Sequence, residues 1–274
     1  MKYFKSSSLI AFLLSAIALN ATPTNESASL ELNFDNASNR LENTGTDSNS
    51  FQKLGNGQIT YGAGYNGGSA AYFDGASYLK ANHSPVTTGF SMTFWMKTST
   101  PSSYRGGGTQ WYQGAGLIDG EIGGVTNDWG ITLIGNKVAA GIGNPDLTIK
   151  STSSVTTGEW VFVAATWSST AAQMKLYINN VLEATQYGTG REPRLTGNSF
   201  LIGYDTNDTY YTGALDKIQF YNRALSPTDL SAVSNGTAIA YAAPEVPEPS
   251  TYGLIGLGAL GLAFIARRRK SKTA

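Results

Sequence analysis

The chain has 274 residues, 19 basic and 19 acidic side chains, one histidine and no cysteine. Without a thiol there is no disulfide, no zinc–thiolate site and no cysteine nucleophile, and a histidine-based triad or metal site would have to use His83, which stands in the polar loop Asn82-His83-Ser84-Pro85. Seven basic groups (Lys2, Lys5, Arg267, Arg268, Arg269, Lys270, Lys272) and two acidic ones (Glu245, Glu248) belong to the terminal segments, so the remainder holds 12 basic and 17 acidic groups, a net charge of −5. That disfavours nucleic acid and anionic surfaces as partners and tolerates a bound cation.

Lys2 and Lys5 form a basic n-region, Leu9 to Leu19 an apolar h-region, and Ala16-Ile17-Ala18 a small-residue cleavage site, with a cut after Ala21 as the alternative. Residues 1–21 therefore read as a signal peptide. Glycine, tyrosine, threonine and serine then abound, and short alternating runs recur between turn signals, the pattern of an antiparallel sandwich. Leu30, Leu32 and Phe34 alternate in the first run. Ala71-Tyr72-Phe73 and Tyr78-Leu79 flank Asp74-Gly75, which reads as a hairpin turn. Phe90, Met92, Phe94 and Met96 share one face of the next strand, and Ser91, Thr93, Trp95 and Lys97 the other. Trp160 to Trp167 is apolar on both faces and is expected to be covered on both sides. Met174, Leu176 and Ile178 alternate up to Asn179-Asn180, residues that tolerate the positive φ of a tight hairpin. Phe200 to Tyr204 and Ile218 to Tyr221 complete the set. One helix follows, with Ser226 as N-cap, Pro227 at its first position, Asp229 in the first turn and Gly236 ending it. Residues 237–245 read as a tether between a domain at 22–236 and the final 29 residues.

Those final residues are a short motif, an apolar segment and a basic cluster in that order: Val246-Pro247-Glu248-Pro249-Ser250-Thr251-Tyr252, the stretch 252–266, and Arg267 to Lys270. As a helix the apolar part spans roughly 22 Å, short of the ~30 Å hydrocarbon core, and the positive charges would hold its end on the cytoplasmic side. The tail closely resembles the PEP-CTERM sorting signal of Gram-negative bacteria, with Pro247, Glu248 and Pro249 matching the motif. The resemblance implies export and processing by an exosortase in a cell that makes exopolysaccharide. An ordinary C-terminal membrane anchor is the alternative.

Within the domain, Ala71-Tyr72-Phe73-Asp74-Gly75 and Phe90 to Trp95 resemble the early strands of the LamG-like, concanavalin A-like jelly roll. Gly158 to Thr166, Leu176 to Asn179 and above all Gly213 to Ser226 resemble its later ones. The resemblance runs from about residue 30 to 233 and implies an all-β, antiparallel two-sheet sandwich. Two departures stand out: a C-terminal disulfide is impossible, and Asn180 replaces the usual hairpin glycine.

Asp216 shares strand parity with Ile218 and Phe220, so its carboxylate is expected on the apolar side, where it must find a cation or several donors. Phe34-Asp35 places a second carboxylate at the end of the first strand. The family resemblance implies that acidic residues at these places, Asp35 and Asp216, hold a structural calcium with backbone carbonyls. The alternative is that Asp216 pairs with Arg223 or caps backbone amides. Five tryptophans and fifteen tyrosines point to carbohydrate, because aromatic faces stack on sugar rings. Trp111, Tyr112, Trp129, Tyr210 and Tyr211 read as loop residues, where ligand contacts concentrate. Packing of these rings into the sandwich remains the alternative. Asp119-Gly120-Glu121 offers two carboxylates at i and i+2, but in a glycine-punctuated turn that departs from the Glu-x-Asp-x-x-Glu pattern of glycoside hydrolases on this fold. Gly62-x-Gly64-x-x-Gly67 and Gly256-x-Gly258-x-x-Gly261 lack the strand–helix context of a dinucleotide site.

The sequence therefore describes an exported, non-enzymatic jelly-roll protein bound for the cell surface or a biofilm matrix. Three roles stay open: a glycan-binding or adhesive module, a structural matrix component, and a polysaccharide-active enzyme.

Overall fold

The computed structural model describes residues 24–86, 88–124, 127–188, 198–206 and 209–241. The signal-peptide segment, Pro247-Glu248-Pro249 and the apolar stretch 252–266 lie outside the described residues. Among those described, no helix is long and apolar enough to cross a membrane. One compact unit runs from Glu26 to Ile239. Of the other, residues 1–25 and 240–274, only the strand ends 24–25 and 240–241 are described.

In chain order the first strands are β1 (Thr24–Glu26), β2 (Leu30–Leu32), β3 (Phe51–Gly55), β4 (Ile59–Ala63), β5 (Ser69–Asp74), β6 (Ser77–Ala81) and β7 (Phe90–Lys97). A 3-10 turn at Trp111–Gln113 precedes β8 (Ala115–Asp119), β9 (Trp129–Ile134), β10 (Lys137–Ile142) and β11 (Leu147–Lys150). Next come β12 (Trp160–Ser168), β13 (Gln173–Ile178), β14 (Val181–Tyr187), β15 (Leu201–Ile202), β16 (Tyr204–Asp205), β17 (Thr209–Tyr210) and β18 (Thr212–Tyr221). Helix α1 (Pro227–Ser234) and β19 (Ile239–Tyr241) close the described chain.

These strands build a seven-stranded sheet in the order β11-β10-β9-β8-β15-β6-β3 and an eight-stranded sheet in the order β14-β13-β12-β7-β18-β5-β4, with β2 also on β18. The pairings are antiparallel, and the expected two-sheet sandwich is what forms. Its core lies between the inner faces. Phe90, Met92, Phe94 and Met96 of β7 join Val161, Val163, Ala165 and Trp167 of β12 and Met174, Leu176 and Ile178 of β13 in one buried cluster. The opposite face of β12 is covered too: Phe162 and Ala164 belong to a second cluster with Trp95, Tyr177, Leu225 and Leu230.

Local signals decide several joints. Asn179 and Asn180 both take positive φ, 50° and 64°, and close the β13–β14 hairpin. Ser226 accepts from the Asp229 amide while the Asp229 side chain returns to the Ser226 amide, a capping box that fixes the start of α1.

Two joints differ from the sequence expectation. Asp74-Gly75 is not a hairpin turn, because β5 lies in the eight-stranded sheet and β6 in the seven-stranded one. The Asp74 carboxylate accepts from the amides of Gln58 and Ala76 and from the Ser77 hydroxyl, so this is a corner pinned by one side chain. The tether also starts later than expected, since Ile239 is buried in the second apolar cluster.

Candidate functional site

The 103–114 segment folds back over the outer face of the seven-stranded sheet. Trp111 lies there on Gly130 and Gly141, directly paired residues of β9 and β10, where a Cβ at either would strike the indole. Its amide donates to the Thr148 hydroxyl at 3.1 Å, and Lys150 donates to Gly108 O at 2.8 Å, so both ends of the turn are fastened to β11. Trp111 is 0 % exposed and Trp129 is 0 % exposed. Trp129 points inward, with ring centroids 5.6 Å from Phe200 and 5.7 Å from Phe220. Neither ring has a face for a sugar, so both expected ligand contacts are packing residues. Tyr211 is likewise buried; its hydroxyl donates to Ala214 O at 3.2 Å, and burial pushes its phenol well above the ordinary range.

Tyr210 is placed differently. With Tyr78 and Tyr204 it forms a half-buried cluster on the outer face of the seven-stranded sheet, away from the core side chain of Leu79. The ring centroids are 4.6 Å apart for Tyr78–Tyr204, 4.4 Å for Tyr204–Tyr210 and 6.2 Å for Tyr78–Tyr210. Sequence reading found only Tyr210, because the other two come from β6 and β16 and meet only through the fold.

The short β16–β17 hairpin that carries Tyr204 and Tyr210 is held by carboxylates. Asp119 is 1 % exposed at the end of β8; its Oδ2 accepts from the Thr206 amide at 3.3 Å and its Oδ1 from the Glu121 amide at 3.2 Å. The Thr206 hydroxyl donates to Glu121 Oε2 at 3.0 Å, and Arg105 Nη2 stands 3.4 Å from the buried Asp205 carboxylate. Burial, followed by the charges of Glu121 and Asp205, pushes Asp119 well above the usual carboxylate range. Burial also raises Glu121.

A second constellation lies on the outer face of the eight-stranded sheet. Lys217 takes φ 47°, and the register between β18 and β7 slips between Asp216 and Gln219. This bulge breaks the strand parity. Leu215 and Ile218 both point into the core, and Asp216, 1 % exposed, turns outward opposite Trp95. Its carboxylate accepts from the amides of Tyr65 at 2.8 Å and Lys217 at 2.7 Å, while Asp35 Oδ1 accepts from the Ser69 amide at 2.7 Å. The two carboxylates thus clasp both ends of the loop 64–69. A Cβ at Gly64 would lie 2.6 Å from Asp216 Oδ2, and one at Gly68 (φ 72°) would strike Asp35, so only glycines admit the approach. The loop lays Tyr65 flat on Trp95, with centroids 3.3 Å apart, which roofs the tryptophan. Arg223 is engaged elsewhere, with Glu26 and Asp229 at 2.5 and 2.8 Å.

The fit of calcium to this clasp rests on two carboxylates. Burial raises the Asp216 pKa to about 6, with the Asp35 charge adding to it. Among the described residues no group of three or more His, Asp or Glu side chains is gathered for a metal, so loop carbonyls would have to complete the six to eight oxygens. His83 lies in a separate polar patch, 3.3 Å from the Asn49 amide nitrogen and 4.0 Å from Asp47.

Comparison with known proteins agrees with this architecture. The family model of the concanavalin A-like lectin/glucanases superfamily matches residues 73–231, and that of the PEP-CTERM protein-sorting motif matches residues 245–270. No curated protein matches the sequence. Among solved structures, domain 4 of AbnA, a GH43 extracellular arabinanase from Geobacillus stearothermophilus, determined in complex with arabinotriose, superposes with a TM-score of 0.61 at 22 % identity over 76 % of this chain and 99 % of that domain. The binding domain of Paraclostridial Mosquitocidal Protein 1 (TM-score 0.58, 12 % identity, 77 % of this chain) and that of botulinum neurotoxin serotype G (0.55, 15 %, 75 %) share the fold, and the chain spans about half of each. The chain therefore belongs to the concanavalin A-like lectin/glucanase superfamily, and its PEP-CTERM motif marks it as an exported protein sorted through the membrane.

Proposed function

We propose that the domain is a non-enzymatic glycan-binding module, delivered by exosortase processing to the cell surface or the exopolysaccharide matrix. The observation that carries this reading is the cluster of Tyr78, Tyr204 and Tyr210, which offers half-buried ring faces on β6 and on the β16–β17 hairpin packed beside it. Sugar rings stack on such faces, and the phenol hydroxyls of Tyr78 and Tyr210 can add polar contacts. The arabinotriose complex of the similarly folded AbnA domain supports a saccharide as the ligand class. The carboxylates beside the platform support binding rather than hydrolysis, since Asp119 and Glu121 are engaged in fastening the β16–β17 hairpin. Calcium at Asp35 and Asp216 belongs to the same proposal, as a structural ion that fixes the 64–69 loop.

Tyr78→Ala and Tyr210→Ala are each expected to lower retention on the producer's own exopolysaccharide several-fold while the melting temperature stays nearly unchanged. Wild-type protein that is retained on no polysaccharide would transfer the domain to a structural matrix role. Release of reducing ends would make it an enzyme.

The tail makes a separate prediction. Exosortase processing removes the segment that follows the motif, so mass spectrometry of surface-located protein should find the Arg267–Lys270 cluster missing. Mature surface protein that retains those residues would identify the tail as a plain anchor.

A further inference from the structure

The outer face of the eight-stranded sheet carries a groove of about 300 Å³ between β12–β13 and the segment leading into α1. Its floor is a cross-strand ladder, with Ser168 opposite Gln173 and Thr166 opposite Lys175, and Tyr177 next along β13. Leu225 and Pro227 form an apolar wall. Thr166 and Tyr177 are each 3 % exposed, yet among the described residues neither makes a side-chain hydrogen bond, and neither do Gln173 and Lys175. Their polar atoms are not sealed off but open on the groove. Among the described residues, Lys175 is the only charged side chain lining it. The neighbouring Arg223 is already neutralised by Glu26 and Asp229. Burial raises the Tyr177 phenol above its ordinary range, so the hydroxyl is a donor at neutral pH.

A concave site with several hydroxyl and amide groups open to solvent, one ammonium and one apolar wall complements a polar ring with one apolar face. Such a ring is polyhydroxylated and carries a carboxylate. The ring hydroxyls would meet Thr166, Gln173 and Tyr177, the carboxylate would pair with Lys175, and the apolar ring face would rest on Leu225 and Pro227. We propose that this groove is a second saccharide site, distinct from the tyrosine platform, and that it takes a uronic-acid unit. The inference rests on the reading of the domain as a glycan-binding module, but on residues the platform does not share.

Titration of the purified protein with trigalacturonate and with its methyl ester tests it, because esterification removes the charge and keeps the hydroxyls. The free acid is expected to bind at least tenfold more tightly than the ester, and less tightly as salt is raised. Lys175→Met should abolish that preference with an unchanged melting temperature, and Tyr78→Ala should leave it intact. Equal binding of acid and ester, a preference that survives Lys175→Met, loss of the preference in Tyr78→Ala, or no binding of trigalacturonate would each overturn the proposal. Retention on neutral polysaccharide through the tyrosine platform is read separately, so the failure of one site is distinguishable from the failure of the other.

Discussion

Trp129→Ala is expected to lower the stability of the domain by about 3–5 kcal/mol, the cost of removing a large aromatic side chain from a packed interior. The ring stands where the two sheets meet. It leaves β9 of the seven-stranded sheet and contacts Phe220 of β18 and Phe90 of β7, both in the eight-stranded sheet, at 5.7 and 6.4 Å, with Phe200 at 5.6 Å. Phe220 and Phe90 are held in separate strands and cannot readily collapse into the space. The indole nitrogen is buried and without a hydrogen-bond partner among the described residues, so the loss is one of apolar contact alone. Trp129→Phe should accordingly cost much less than Trp129→Ala. For a domain of this size the alanine variant should melt roughly 10 °C below the wild type. A variant that melts normally but loses retention on polysaccharide would return Trp129 to the ligand site and discredit the platform assignment.

The second large effect concerns Asp216. Its folded pKa is raised by burial to about 6 from an ordinary 3.8. A raised carboxylate pKa means that the folded chain holds a proton the unfolded chain has released. The fold is therefore favoured below about pH 4, and stability falls as pH rises toward 6, after which it levels off. The shift corresponds to roughly 3 kcal/mol at most. In EGTA, wild-type protein should lose stability across that window relative to Asp216→Asn, which has no proton to release. Calcium reverses the preference by favouring the charged form. At a hundredfold excess over Kd it adds about 2.7 kcal/mol at neutral pH, and Asp216→Asn should forfeit that gain. Identical midpoints in calcium and EGTA would remove the metal from the account. Parallel pH profiles for wild type and Asp216→Asn would show instead that the Tyr65 and Lys217 amides hold the carboxylate ionised by themselves.

Features decided within a few residues were legible in the sequence. The alternation of Phe90, Met92, Phe94 and Met96 is a consequence of the pleat, the Asn179-Asn180 turn needs only two left-handed residues, and the start of α1 is written in Ser226, Pro227 and Asp229. What escaped was non-local. The bulge at Lys217 turns Asp216 to the other face, and no alternation pattern announces a single left-handed lysine. Asp74-Gly75 has the composition of a hairpin, but the Asp74 side chain closes a corner between sheets through Gln58. Trp111 and Trp129 stand in stretches that read as loops and are buried all the same. The available signal was Gly130 and Gly141 inside otherwise apolar strands, which mark a place where something large lies flat on a sheet. The tyrosine platform draws on three separate strands, so its members could be found singly but not assembled.

The seat of Trp111 has a consequence for how this chain can vary. The indole occupies the room that two missing Cβ atoms leave on neighbouring strands, so ring and glycines are parts of one fitted volume. Shrinking the ring alone empties that volume, and enlarging Gly141 alone drives a side chain into the ring. Each change closes the route to the other unless both occur together, so the three positions are coupled in the energetic sense, with effects that do not add. Substitution at Gly130 or Gly141 is therefore expected to be as poorly tolerated as substitution at Trp111, although neither glycine contributes a side chain to the fold.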